Sequence, residues 1–183
     1  MADRDIIEHL TDEHRKVDAM WERLQQLHAA SSPEAADVAR TIVKELTSHD
    51  AIELQLLYPA LGRVAGASDL ADHGKDEHTE IRRLLADVDG KDPLQAEVWT
   101  TFDTLIRKVK AHVEEEETVM FPKLRASMDQ QQLLDLGKAS EAAEFLAPTH
   151  PHRATPSGGL GATVVGSVAG VADKVRDAIT RDK

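Results

Sequence analysis

The sequence predicts an all-α protein, built as a four-helix bundle with a short fifth helix and a flexible C-terminal tail. Apolar residues recur at alternating spacings of three and four, which is the pattern of helices that each bury one stripe. Aromatic residues make up 3% of the 183 residues, and no long run of alternating β-branched residues is present. Strands are therefore poorly supported, and helices account for the chain.

The first two predicted helices are joined by a short turn. The first runs from about Asp5 to Ala30, and Ser32-Pro33 resembles a cap followed by proline at the first helical position of the second. The predicted stripes consist of Ile7, Leu10, His14, Val17, Trp21 and Leu24 in the first helix, and Ala39, Ile42, Leu46, His49, Glu53, Leu56 and Ala60 in the second. Histidine and glutamate thus occupy positions expected to be buried.

The third and fourth predicted helices follow the same plan. Gly62 and Gly66 mark a connection, Ser68 or Asp69 can cap the third helix, and a turn over 89–93 starts the fourth. The fourth helix is expected to end near Pro122 or Ser127. Their stripes consist of Ala71, Gly74, His78, Ile81, Leu85 and Val88, and of Val98, Phe102, Leu105, Val109, His112, Glu116 and Val119.

The remaining chain divides into three parts. Residues 128–146 predict the fifth helix, with Leu133, Leu134, Leu136 and Leu146, so the bundle with its appended helix spans 1–146. Residues 147–159 form a Pro/Gly-rich linker, and 160–183 a weakly amphipathic tail. We expect this tail to dock on its own bundle or on a partner protein. A membrane-surface role is disfavoured because the cationic face that it requires is thin.

Composition excludes several classes of function. A net charge of −11 argues against a nucleic-acid partner, which needs clustered Lys and Arg. The absence of cysteine excludes disulfides, thiolate zinc sites, iron–sulfur clusters and a cysteine nucleophile. The N-terminus lacks an apolar signal core, and no apolar run reaches the ~20 residues of a membrane span. A cytoplasmic protein is the expectation.

The chain repeats its polar residues. Asp12-Glu13-His14 recurs as Asp76-Glu77-His78. The segment His49-xxx-Glu53-xxxx-Tyr58-Pro59 recurs as His112-xxx-Glu116-xxxx-Phe121-Pro122. Two helical hairpins with the same features predict a four-helix bundle that arose by duplication and has pseudo-twofold symmetry.

The duplicated polar residues predict a dinuclear metal centre. Burial of two carboxylates needs a compensating positive charge, and Lys and Arg are absent from the same stripes. A His/Glu pair at i, i+4 lets the histidine bind one ion while the carboxylate bridges two. The predicted ligands are His14, His49, Glu53, His78, His112 and Glu116. Imidazole and carboxylate ligands favour iron, manganese or zinc, and the ferritin-like alternative fails because no histidine follows a glutamate by three positions.

The order H-HxxxE-H-HxxxE over roughly residues 5–126 resembles the hemerythrin-like (HHE cation-binding) family. This resemblance implies an up-down-up-down bundle that holds two iron ions in an oxo- or hydroxo-bridged non-haem centre, with manganese or zinc as substitutes. The oxygen carriers of the wider family have a fifth histidine. Here the only candidate is His73, which lies about 140° around the helix from His78. More exchangeable positions on the irons favour turnover over reversible oxygen carriage.

The function expected from the resemblance is binding or turnover of hydrogen peroxide, O2 or nitric oxide, in detoxification and possible catalase-like activity. An O2- or iron-responsive sensor without turnover is the alternative, and iron buffering is weaker. The protein is expected to be a monomer or a dimer.

Several neighbouring residues are expected to have no part in the centre. We expect Tyr58 to pack at a helix end, and His9 and His28 to lie at the surface or rim. Glu13 and Glu77 precede predicted ligand histidines and could each orient an imidazole, but a solvated position is the expectation for both. Solvated positions are also expected for Glu114, Glu115 and Glu117, and linker positions for His150 and His152.

Overall fold

The computed structural model describes residues 4–148 and 150–151, and within these residues every regular element is helical. The predicted all-α class is confirmed. The predicted linker over 147–159 lies mostly outside the described residues, and the predicted tail over 160–183 lies wholly outside them.

Four long helical rods form the bundle, and two of them contain a π-helical turn. In chain order the α-helices are α1 (Ile6–Ala29), α2 (Ala35–Ile52), α3 (Tyr58–Leu61), α4 (Ser68–Val88), α5 (Ala96–Glu115), α6 (Phe121–Ser127) and α7 (Gln130–Leu146). The π-helical turn π1 (Glu53–Leu57) joins α2 to α3, and π2 (Glu116–Met120) joins α5 to α6. The rods α1, α2–π1–α3, α4 and α5–π2–α6 run up-down-up-down, and α7 is the fifth helix.

Two helices, α1 and α7, begin at an aspartate that caps the helix N-terminus. Asp5 begins α1 in a capping box with Glu8, and Asp129 begins α7 in a capping box with Gln132. Ser32 does not cap α2 as predicted: Glu34 holds the cap position without a side-chain hydrogen bond, and the hydroxyl group of Ser32 accepts a long 3.4 Å hydrogen bond from the Glu34 amide in the turn before the helix.

The cap predicted for α4 is also wrong. Ser68 is the first helical residue rather than the cap, and buried Ala67 holds the cap position without a side-chain hydrogen bond.

Two apolar clusters fill the bundle, one towards each end. The first includes Ile6, Leu57, Tyr58, Met120 and Leu136, and α7 closes it by packing on α1 and α2. The second includes Val17, Trp21, Leu46, Phe102 and Val109. The polar residues of the predicted stripes lie in the layer between these two clusters, so the fold places them in a low-dielectric interior.

The predicted stripes are buried with one exception. Val119 is 38% exposed, whereas its neighbour Met120 is fully buried. The π-helical turn π2 accounts for the difference, because it adds one residue to a turn and moves the buried position one residue along. The prediction that Val119 is buried assumed an uninterrupted α-helix.

Candidate metal centre

The structure brings together all six residues that the sequence singled out. His14 lies on α1, His78 on α4 and the pairs His49/Glu53 and His112/Glu116 on the two rods with π-helical turns. All six are buried, and the two glutamates are completely inaccessible to solvent. Both π-helical turns begin at the glutamate, so the departure from α-helical geometry occurs at the site itself. We call these residues the six-residue cluster.

The histidines form two pairs that face each other through Nε2. The Nε2 atoms of His14 and His49 are 3.2 Å apart, and those of His78 and His112 are 2.8 Å apart. In each pair, one histidine comes from a helix that carries no cluster glutamate (α1 or α4). The other comes from a rod that carries a His-xxx-Glu pair, as the duplication predicts.

Each glutamate spans the two histidine pairs. Glu53 places Oε1 3.1 Å from Nε2 of His49 and Oε2 2.9 Å from Nε2 of His78. Glu116 places Oε2 3.4 Å from Nε2 of His14 and Oε1 3.4 Å from Nε2 of His112. Both carboxylates therefore have one oxygen directed at each pair, which is the arrangement of bridging ligands.

The donor atoms form two groups that share both glutamates and could each hold a metal ion. The first group is His14, His49, Glu53 and Glu116, and the second is Glu53, His78, His112 and Glu116. Within a group the donor atoms lie within 4.8 Å of one another. Both oxygens of Glu53 and Oε2 of Glu116 are buried without a hydrogen-bond partner. Buried carboxylate oxygens are costly when unpaired, so a cation fits this donor set.

A carboxylate contacts the outer nitrogen of every histidine in the cluster. Nδ1 lies 2.9 Å from Glu117 in His14, 2.8 Å from Glu13 in His49, 2.7 Å from Asp50 in His78 and 2.7 Å from Glu77 in His112. A carboxylate accepts a hydrogen bond, so Nδ1 carries a proton, and in the neutral form of each ring the Nε2 lone pair would face inward. The four rings are thus oriented as metal ligands would be.

Three of these carboxylates correct expectations from the sequence. Solvated positions were expected for Glu13, Glu77 and Glu117, and this was wrong because each reaches across to a histidine of a neighbouring helix. Asp50 escaped sequence reasoning altogether. On a helical wheel, a residue next to a histidine in sequence lies about 100° away from it. The wheel does not show which side chains of a neighbouring helix that residue can contact.

The electrostatics of the metal-free cluster reflect this dense pairing. Burial alone would raise the pKa of Glu13, but the hydrogen bond with His49 and the electrostatic attraction of His49 and nearby His9 outweigh it and lower the pKa to about 2. Burial would lower the pKa of His112, but contacts with Glu116 and Glu77 raise it to about 10. In the absence of an ion, the raised pKa values of His49, His78 and His112 favour protons on these rings, which compensate the carboxylates.

Tyr58 lies at the cluster, and sequence reasoning misplaced it. Its hydroxyl group is 3.1 Å from Nε2 of His112 and donates to Oε1 of Glu116 at 3.1 Å, and its side chain is fully buried. A regular helix puts Tyr58 about 180° from His49. The π-helical turn π1 lies between them and rotates Tyr58 by about one residue, towards the interior.

The other histidines and glutamates that the structure describes lie outside the cluster. His73 is half-exposed and faces Glu77 and Glu115, away from the six residues. Glu114 is exposed, as expected. The expectation for His9 was wrong, because this residue is buried beneath α7. His28 stacks on Trp99 with ring centroids 3.6 Å apart.

A cavity of about 310 Å³ adjoins the cluster on the side of the second apolar cluster. Its lining includes His14, His49, His78 and His112 and one apolar residue from each long helix, namely Val17, Leu46, Ile81 and Val109. Charged residues such as Arg15, Asp18 and Lys110 also line it. A small neutral molecule in this cavity would touch the histidines while surrounded by apolar walls.

Comparison with known proteins agrees with this geometry. The sequence model of the hemerythrin HHE cation binding domain matches residues 5–124. The chain belongs to this family. The resemblance inferred from the motif is therefore confirmed, and the hemerythrin-like chain carries buried His/Glu groups able to hold a metal centre.

Two curated relatives are similar to this hemerythrin-like chain. An uncharacterized hemerythrin-like protein of Schizosaccharomyces pombe is 24% identical over 174 residues, which are 94% of this chain and 85% of the relative. A protein of Nostoc sp. named DNA nickase is 28% identical over 131 residues, 71% of this chain but 36% of the relative. No solved structure matches at a comparable significance. Among the described residues, no helix is both long and apolar enough to cross a membrane.

Proposed function

We propose that the six-residue cluster binds two iron ions and that the protein turns over hydrogen peroxide in its detoxification. One observation carries the proposal: Glu53 and Glu116 are fully buried and each directs one oxygen at each histidine pair. Both oxygens of Glu53 and Oε2 of Glu116 lack hydrogen-bond partners. Ligands that are shared in this way suit two neighbouring ions rather than one.

The donor set favours iron. Four imidazole nitrogens and two carboxylates suit iron, manganese or zinc. Two ions held by these six residues alone would keep positions open for a small molecule, and open positions favour iron for oxygen or peroxide chemistry. Iron bound here would supply the redox chemistry for hydrogen peroxide, O2 or nitric oxide, and manganese or zinc could substitute in binding.

The residues around the centre orient it and set its charge. The four carboxylates on Nδ1 hold the imidazole rings in place and raise their basicity as ligands. Burial, with the nearby Glu53 and Glu116, raises the pKa of Tyr58, so its hydroxyl group keeps its proton and remains a donor to Glu116. This donor is available at one end of the cluster only.

The cavity supports a small neutral substrate. Hydrogen peroxide, O2 and nitric oxide enter an apolar space without the cost of removing a charge from water. In peroxide disproportionation one molecule is oxidised to O2 and another is reduced to water, so no external reductant is needed. Nicking of DNA is not part of the proposal, since the chain matches 36% of the nickase and carries a net charge of −11.

Oxygen evolution from peroxide tests the proposal. Protein loaded with two irons per chain is mixed with hydrogen peroxide at an oxygen electrode, and rapid evolution is expected. His49→Ala should abolish it, whereas His73→Ala, at the half-exposed histidine, should leave it unchanged. Protein that holds two irons but evolves no oxygen contradicts turnover and favours the alternative, a sensor or binding protein.

A further inference from the structure

A second histidine precedes the cluster histidine in each half of the repeat. His9-xx-Asp12-Glu13-His14 on α1 corresponds to His73-xx-Asp76-Glu77-His78 on α4. Each half therefore contains one more His-xxx-Glu pair besides those in the six-residue cluster. The two pairs differ in their surroundings, because α7 covers His9 whereas His73 is half-exposed.

His9 is buried without the partners that an imidazole needs. It is 2% exposed, and neither of its ring nitrogens makes a hydrogen bond. Its Nε2 atom lies 3.5 Å from Oε1 of Glu13 and 3.8 Å from Oε2 of Glu144 on α7. Both separations are too long for good hydrogen bonds, and a buried polar atom left unpaired costs about 1–3 kcal/mol.

We propose that His9, Glu13 and Glu144 form a third metal site, which binds one divalent cation apart from the six-residue cluster. One donor atom from each lies within 4.8 Å of the others. Ligands bound to one tetrahedral ion at about 2.0–2.2 Å are about 3.4 Å apart, so the separations around His9 leave space for an ion. One imidazole and two carboxylates suit Zn²⁺, Mn²⁺ or Fe²⁺, and the two negative charges favour binding.

Glu13 connects the third site to the cluster. Its Oε1 faces His9, while its Oε2 lies 2.8 Å from Nδ1 of His49. Arg4, a cationic side chain that contacts α7, pairs with Asp12 and Glu141 instead of the proposed ligands. A metal ion would therefore satisfy His9 and fasten α7 to α1.

Zinc stoichiometry tests the third site. The metal-free full chain is equilibrated with Zn²⁺ by dialysis, and bound zinc is counted by mass spectrometry alongside a circular dichroism check of folding. Wild type should bind one ion more than Glu144→Gln and His9→Gln. The side chain of Glu144 is 41% exposed, so its variant should fold even if His9→Gln does not.

Matched variants separate this site from the proposed function. Glu141→Gln on the same helix should bind as much zinc as wild type, because Glu141 contacts Arg4 and lies outside the proposed ligands. His49→Ala should bind less zinc at the six-residue cluster. It should keep the ion at the third site, which is the ion that Glu144→Gln loses. Equal zinc content in wild type and Glu144→Gln overturns the third site and leaves the dinuclear proposal intact.

Discussion

The hydroxyl group of Tyr58 lies 3.1 Å from Oε1 of Glu116, although 58 positions separate the two residues in sequence. In the other half of the repeat its counterpart is Phe121, whose ring stacks on His14 at a centroid distance of 6.0 Å. A hydrogen-bond donor therefore serves one end of the six-residue cluster and an apolar ring the other. The hydroxyl group of Tyr58 thus makes the two ends of a duplicated frame chemically different.

The Tyr58→Phe variant should have the same fold as wild type but a lower free energy of unfolding. Phenylalanine fills the same volume, as Phe121 does at the twin position, but Oε1 of Glu116 loses its donor. Hydrogen bonds to charged groups contribute about 1.5–3 kcal/mol, so we expect a loss of that order in the free energy of unfolding. Urea unfolding of the metal-free variant measures it, and an unchanged midpoint would mean that the hydroxyl group does not stabilise Glu116.

The helical layout and the six-residue cluster could be predicted because both depend on periodicity. His14, His49 and His112 interrupt apolar stripes, and a stripe tells which side chains face inward whatever the neighbouring helix contains. The duplication then removed the ambiguity of a single buried histidine, since the same residues recur in the second hairpin.

The surroundings of the cluster could not be predicted because they depend on local geometry and contacts between helices. Tyr58 reaches Glu116 only because a π-helical turn precedes it, and no residue type in Glu53–Leu57 signals that turn. Asp50 and Glu77 contact histidines on other helices, and their reach depends on how the helices pack. Buried His9 depends on α7, whose docking the stripe on α1 does not show.

Glu77→Gln should weaken metal binding without removing a proposed ligand. The carboxylate of Glu77 lies 2.7 Å from Nδ1 of His112, and glutamine keeps an acceptor but loses the negative charge. Loss of such a partner costs about 10–100-fold in metal affinity. Competition with a chromophoric chelator measures the change. Glu115→Gln is the matched control because Glu115 faces only half-exposed His73, and a similar loss in both variants would contradict the orienting role.

The metal-free protein should lose stability as the pH rises. Contacts with Glu116 and Glu77 overcome burial and raise the pKa of His112 from 6.5 to about 10. A group whose pKa is raised in the folded state stabilises that state, and its contribution is complete at pH values below its pKa in the unfolded chain. The contribution is lost as the pH rises through its pKa in the folded protein. Unfolding midpoints in urea should therefore fall between about pH 6.5 and pH 10. His112→Gln should flatten this dependence, and a midpoint that rises over the same range contradicts the assignment.

Gly74→Ala should destabilise the protein even though alanine is the better helix former. A Cβ atom at position 74 would lie 2.5 Å from Cε1 and 2.9 Å from the hydroxyl oxygen of Tyr58, whose ring is fully buried. At an open helical position the change gains about 1 kcal/mol, whereas overpacking in a core costs about 1–3 kcal/mol. We expect a net loss of about 1–2 kcal/mol in urea unfolding, since the clash also displaces the hydroxyl group from Glu116. Lys75→Ala on the solvent side of the same helix should stay within about 0.5 kcal/mol of wild type. A more stable Gly74→Ala variant would show that the Tyr58 ring does not need the space that glycine leaves.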